Sequence, residues 1–210
     1  MRIGILGSGL MGGKLGTIFA RAGHDVTFSY SRSEQKLKRL ARTAKARYGS
    51  PRDAANDADA VLLAVHWSRM ADVLKRAGDL SGKVVITCSL PMNADDTALV
   101  IGRTSSGAET LARRIPKARL VQAFNTVPSE VLFDVYAHRR NAKRPSLVYC
   151  GDDRKAKRIA AELIGDVGFE PVDAGPLRIA RYTEPCALLF AQLAYEGKGG
   201  PELAYRFERY

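Results

Sequence analysis

Short apolar runs alternate with longer amphipathic stretches along this chain. The apolar runs are Arg2–Leu6, Asp25–Ser29, Ala60–Val65, Lys83–Thr87, Arg119–Phe124, Ser146–Cys150 and Glu170–Val172. They are near-continuous rather than alternating, as in Val61-Leu62-Leu63-Ala64-Val65, which is the pattern of strands covered on both faces of a parallel sheet. Between them Leu10–Ala22, Ser33–Arg47, Arg69–Ala77, Glu109–Ile115, Pro128–Ala137 and Arg154–Val167 read as helices. Regular alternation of strand and helix predicts βαβ units, hence an α/β fold of Rossmann type with a doubly wound, mostly parallel sheet. After Asp173-Ala174-Gly175-Pro176-Leu177 the strand signal stops. Thr183–Glu196 predicts one more helix, with Thr183 as its cap and Pro185 in its first turn, stopped by Gly197-Lys198-Gly199-Gly200-Pro201. Residues 1–175 are thus expected to form a sheet domain and 176–210 a small C-terminal helical annex. In that annex Leu203, Tyr205, Phe207 and Tyr210 would pack on the sheet domain or across a dimer interface.

The first candidate chemistry is Gly7-Ser8-Gly9-Leu10-Met11-Gly12. The string GxGxxG is weak alone, but here a strand precedes it, a helix follows, and a second strand begins about twenty residues on. Gly7 permits a tight turn, Gly9 lets backbone N–H groups approach a diphosphate, and Gly12 lets helix and strand pack closely. The helix N-terminus then points free N–H groups and a positive dipole end at the phosphates. A site for NAD places a carboxylate at the tip of the second strand. This chain has Ser29-Tyr30-Ser31-Arg32-Ser33 there. Hydroxyls and a planar guanidinium suit a phosphate, so Ser31 and Arg32, with Lys36 behind them, predict NADP(H) as cofactor.

Composition changes the picture in one respect. Among 210 residues, 33 Lys and Arg stand against 22 Asp and Glu, a net charge of +11. Such an excess predicts an anionic partner. Seven basic residues and a single acid, Glu34, lie between Arg32 and Arg47, which places the excess beside the predicted phosphate site. A dinucleotide therefore accounts for it without nucleic acid, and no aromatic-interleaved basic motif is present. Cys88, Cys150 and Cys186 form no CxxC pair, so neither a disulfide framework nor a metal site is expected, and a reducing cytoplasm fits. No apolar run is long enough to span a bilayer, and no signal peptide is evident. No Ser-His-Asp set, HExxH or paired carboxylates emerge. His24 and His138 read as structural or scattered. His66 and Asn125 fall at the carboxyl ends of strands, where open α/β sheets bind ligands.

Four stretches carry a family resemblance: Gly7–Gly12, Tyr30-Ser31-Arg32, Ala123-Phe124-Asn125-Thr126-Val127-Pro128, and Gly151-Asp152-Asp153 with Asp173-Ala174-Gly175-Pro176-Leu177. The chain resembles the F-420:NADP oxidoreductases, the NADPH-dependent reductases of deazaflavin coenzyme F-420. The resemblance implies hydride exchange between NADPH and a flavin-like ring, in a homodimer with a Rossmann domain and a small C-terminal domain; composition and motifs lead us to expect a cytoplasmic protein with no nucleic-acid or membrane partner. By position it implies that Ser8, Ser31 and Arg32 hold the adenosine phosphate end, and that His66 and Trp67 lie along the cofactor. Val127 and Ser129 would sit near the nicotinamide amide and Leu177 near the second ring; Asn125, from its place at a strand end, is expected to act by positioning only. Well-known deazaflavin users have histidine where Asn125 stands, and asparagine there is similar to the NADPH domain of the six-transmembrane metalloreductases. The acceptor is therefore expected to be coenzyme F-420 or an ordinary flavin, FMN or FAD. Rival readings are an NADPH-binding regulatory module without turnover and a reductase of imines or hydroxy acids, which usually needs a proton donor and a longer helical domain.

Overall fold

The computed structural model describes all 210 residues. Its strands are β1 (Arg2–Leu6), β2 (Asp25–Ser29), β3 (Arg47–Tyr48), β4 (Ala60–Leu63), β5 (Val84–Thr87), β6 (Arg119–Gln122), β7 (Ser146–Gly151) and β8 (Glu170–Asp173). The helices are α1 (Leu10–Arg21), α2 (Glu34–Ala44), α3 (Pro51–Asn56), α4 (Met70–Ala77), α5 (Gly107–Arg114), α6 (Leu132–Ala137), α7 (Arg154–Val167) and α8 (Ala180–Ala191). The strands form one sheet in the order β3-β2-β1-β4-β5-β6-β7-β8. The expected α/β, doubly wound, mostly parallel architecture is what forms. No helix is long and apolar enough to cross a membrane.

Alternate side chains of each strand feed two cores. Ile3, Ile5, Leu62 and Ile86 pack with Leu15, Ile18 and Phe19 of α1 and Leu163 and Ile164 of α7. Leu6, Val61, Leu63 and Val85 pack on the other face with Ala54, Val73, Leu111 and Ala180. Most of these side chains are fully buried, worth about 1.5–3 kcal/mol for each large one.

Only β7 runs against its neighbour: Val121 pairs with Gly151 and Gln122 with Cys150, antiparallel. β8 then runs parallel to β7. The sheet therefore ends in two strands pointing opposite to the other six.

Several expectations are corrected at element ends. The helix expected over 33–47 stops at Ala44 because Lys45 adopts a left-handed conformation, φ 53°. Arg47 and Tyr48 then form β3, and Ser50 starts α3 with a capping box on Asp53; neither element was expected. The sixth strand ends at Gln122 rather than Phe124, whose φ of 65° breaks the extended chain. Thr183 is not a cap. α8 begins earlier, after a single helical turn at Leu177–Ile179, so that Pro185 falls inside it and the Thr183 hydroxyl donates to Gln122 Oε1 at 2.5 Å. Beyond α8 the chain continues as a wider π turn, Gln192–Glu196.

Beside Thr183, Glu184 is 1% exposed. Its carboxylate accepts from the N–H groups of Gly107 and Ala108 at 2.8 and 2.9 Å, and from Gln122 Nε2 at 2.8 Å. It thus joins α8 to the start of α5 and to β6. Burial raises its pKa, against the lowering effect of the three donors.

Candidate functional site

The glycine-rich turn follows β1 at the carboxyl edge of the sheet, with β2 on one side and β4 on the other. Gly7 holds φ 113° and its N–H donates to Ser29 C=O. The first helical bond of α1 is Gly13 N–H to Gly9 C=O at 2.9 Å. No side chain caps α1, and the N–H groups of Gly9, Leu10, Met11 and Gly12 have no acceptor in the protein. A Cβ on Gly12 would fall 1.9 Å from Gly7 O, so Gly12 is required by packing. A Cβ on Gly9 would meet nothing within 4 Å. The protein itself gives no reason for Gly9 to lack a side chain; a ligand lying against that backbone does.

Ser8 differs from the expectation that it holds phosphate. It is 2% exposed, and its hydroxyl donates to Ser29 C=O at 2.8 Å while its N–H donates to Tyr30 C=O. It braces the turn against the end of β2. Tyr30, at φ 55°, donates its hydroxyl to Asp72 Oδ2 at 2.6 Å; burial and that carboxylate raise its pKa. Ser31 Oγ accepts from Ser33 N–H, and Ser33 caps α2. Arg32 and Lys36 are exposed, and neither forms an ion pair, whereas Lys38 pairs with Glu34 at 2.9 Å. With Arg39 and Arg42, Lys36 borders a hollow of about 450 Å³ that has no apolar lining residue. This edge is free to receive an anion.

A second cleft, of about 440 Å³, lies over the carboxyl ends of β1, β4, β5 and β6. Gly9, Leu10 and Met11 form one side. Ala64, Val65 and His66 follow β4, Cys88, Ser89 and Leu90 follow β5, and residues 124–129 follow β6. The opposite wall is Ala187, Phe190 and Ala191 of α8 with Tyr195. The structure thus brings Leu10, Met11, His66, Asn125, Val127 and Ser129 together as expected residues of one cleft. Trp67 is not among its lining residues. It turns toward the second core, with Arg114 over its ring at 5.6 Å. Leu177 is not there either: it is 5% exposed in the second core, and its N–H is held by Asp152 at 2.9 Å. The α8 wall carried no sequence signal beyond the helical spacing of Ala187, Phe190 and Ala191.

Most polar groups in the cleft are already engaged. Ser89 Oγ donates to Val65 C=O at 2.6 Å. His66 contacts Ser68 Oγ through Nδ1 at 2.8 Å and Asp96 Oδ1 through Nε2 at 3.0 Å. Tyr195 donates to Glu130 at 2.9 Å, and burial together with that carboxylate pushes its pKa up to about 12. Burial pushes the Cys88 thiol up to about 12, which keeps it protonated and unreactive. The exception is Asn125. It is 9% exposed, and its Nδ2 is the chain's one buried side-chain polar atom without a hydrogen-bond partner. Leaving such a group unpaired costs roughly 1–3 kcal/mol. Rotation of the carboxamide by 180° presents either its donor or its acceptor to the cleft.

Comparisons with known proteins bear on the cofactor class and the fold. Residues 2–91 match the family described as NADP oxidoreductase, coenzyme F420-dependent. Metalloreductase STEAP3 of Rattus norvegicus is 29% identical over 187 residues, covering 89% of this chain and 36% of that protein. The chain thus spans about a third of the length of that curated relative. A provisionally assigned F420-dependent NADP-reductase from Arthrobacter sp. FB24 superposes over 100% of both chains with a TM-score of 0.87 at 24% identity. A hypothetical protein, SMa0349 of Sinorhizobium meliloti, does so over 99% of this chain and 96% of its own with a TM-score of 0.74 at 27% identity.

Proposed function

We propose that this chain, whose residues 2–91 match the family described as NADP oxidoreductase, coenzyme F420-dependent, is an NADP-dependent oxidoreductase that moves a hydride between NADP(H) and a flat-ring acceptor. The acceptor class is flavin or deazaflavin. NADP(H) supplies the hydride chemistry from its nicotinamide ring. The protein's part is to bind, orient and dry the reactants. The unpaired N–H groups from Gly9 to Gly12 take the diphosphate, and Ser31 and Arg32, with Lys36 beside them, take the phosphate on the adenosine sugar. Apolar residues of α8 and of the turn after β6 exclude water from the ring site.

One observation carries the choice of acceptor: the cleft holds an unengaged carboxamide, on Asn125, and no unengaged acid. Reducing a carbonyl or imine calls for a proton donor at the reacting centre. Tyr195, in the cleft wall, already donates to Glu130. A flavin-type ring takes up charge over its own heteroatoms, and its carbonyls need a hydrogen-bond donor such as Asn125 Nδ2.

Anaerobic NADPH oxidation, followed at the nicotinamide absorbance, tests this with FMN, FAD and a deazaflavin against a cyclic imine and a 2-keto acid. Turnover is expected with at least one flat-ring acceptor, and Asn125→Ala should slow it about tenfold. Turnover confined to the imine or keto acid would overturn the reading.

A further inference from the structure

The turn that carries Asn125 has almost no hydrogen bonds of its own. From Phe124 to Pro128 the backbone makes no short, well-aligned hydrogen bond to any other element of the protein, and Phe124 sits at φ 65°. These residues are nonetheless buried. A buried segment with so few bonds and a left-handed residue needs support from outside. One hydrogen bond supplies it: Thr126 Oγ1 to Tyr205 Oη, 2.8 Å, across 79 residues of sequence.

Tyr205 is itself held from several sides. Its Oη also accepts from Val148 N–H of β7 at 3.2 Å, and its C=O accepts from Ser146 N–H at 2.7 Å. Its ring stacks on Phe190, with centroids 4.6 Å apart and planes 7° from parallel, and Phe207 meets it edge-on at 5.3 Å. Phe190 forms part of the cleft wall. One phenol therefore touches the turn after β6, the start of β7 and the helix that closes the cleft.

We propose that Tyr205 is a positioning residue for hydride transfer: a strut that fixes the Asn125 turn and the α8 wall at their working separation. The proposal rests on the reading that Asn125 lies beside the reacting rings. Transfer between rings needs the reacting atoms about 3–3.5 Å apart, so a small drift of this turn lowers the rate while the dinucleotide, held at the far side by the glycine-rich turn, stays bound.

Tyr205→Phe keeps the stacking and removes only the oxygen. With FMN as the acceptor, kcat is expected to fall about tenfold, with NADPH KM and the directly measured NADPH Kd within twofold of the native protein. Thr126→Val should give the same split, and the double variant should be no slower than the slower single variant. Hydrogen exchange at residues 124–128 should quicken in both, with α1 unchanged. If Tyr205→Phe does not fold, Thr126→Val and its exchange pattern carry the test alone. Unchanged kcat and exchange, or fully additive losses in the double variant, would overturn the strut. Asn125→Ala separates the two ideas. If it slows turnover while Tyr205→Phe does not, the strut alone fails. If neither affects turnover, the rings lie elsewhere.

Discussion

Replacing Gly9 by alanine separates folding from binding more cleanly than any other change at the site. The new methyl would meet no protein atom within 4 Å, and the residue's φ of −76° is one that alanine adopts freely. Two small effects oppose each other: alanine is a poorer helix cap than glycine, and it reduces the entropy of the unfolded chain. Their sum should leave stability within about 1 kcal/mol, a melting shift of no more than about 4 °C in a chain of this size. Binding should respond differently. A methyl at Gly9 holds the diphosphate away from the uncapped start of α1, and each N–H bond lost to a charged group costs roughly 1.5–3 kcal/mol. NADPH affinity should therefore fall about ten- to a hundredfold. Gly12→Ala is the contrast, because its Cβ would lie 1.9 Å from a backbone oxygen, so it should lower stability by about 1–3 kcal/mol or more. Calorimetric titration with NADPH beside thermal melting gives both readings. A Gly9→Ala protein that bound NADPH within threefold of native would show that no diphosphate lies on this backbone.

Two further outcomes are expected. Ser31→Asp combined with Arg32→Ala should weaken NADPH about tenfold or more while leaving NADH unchanged or tighter, since only the former carries the extra phosphate; equal loss for both cofactors in competitive titration would contradict the phosphate assignment. Glu184→Gln should cost roughly 1–3 kcal/mol in thermal unfolding, because its amide group would face one of two N–H donors that now meet carboxylate oxygens; an unchanged melting temperature would mean this contact does not hold α8 in place.

The strands were legible because their burial on both faces writes apolar runs such as Ala60–Leu63 into the sequence. The pair β3 and α3 left no such trace: Arg47 and Tyr48 are two exposed residues at the sheet edge, and α3 has six residues. The glycine-rich turn was readable because its function constrains neighbours in sequence. The cleft's far wall was not. Whether Ala187 and Phe190 face a ligand depends on how α8 lies across the sheet, and the Thr126–Tyr205 bond joins residues with no local relationship. Trp67 and Leu177 are the converse case, placed by the structure outside the cleft. Each follows closely on a site-bearing segment in sequence, yet Leu177 is buried in the second core and Trp67, half-buried, packs against it.

The reversal at β7 decides where the cleft obtains its roof. β7 starts at the rim that carries the glycine-rich turn and descends, and β8 descends beside it. The following helix must then climb, delivering Ala187, Phe190 and Ala191 to the top of the molecule. Had both strands ascended with the rest, the same helix would have travelled away from the cofactor edge. One inverted pairing thus lets the six-stranded frame close its own cleft with a single returning helix.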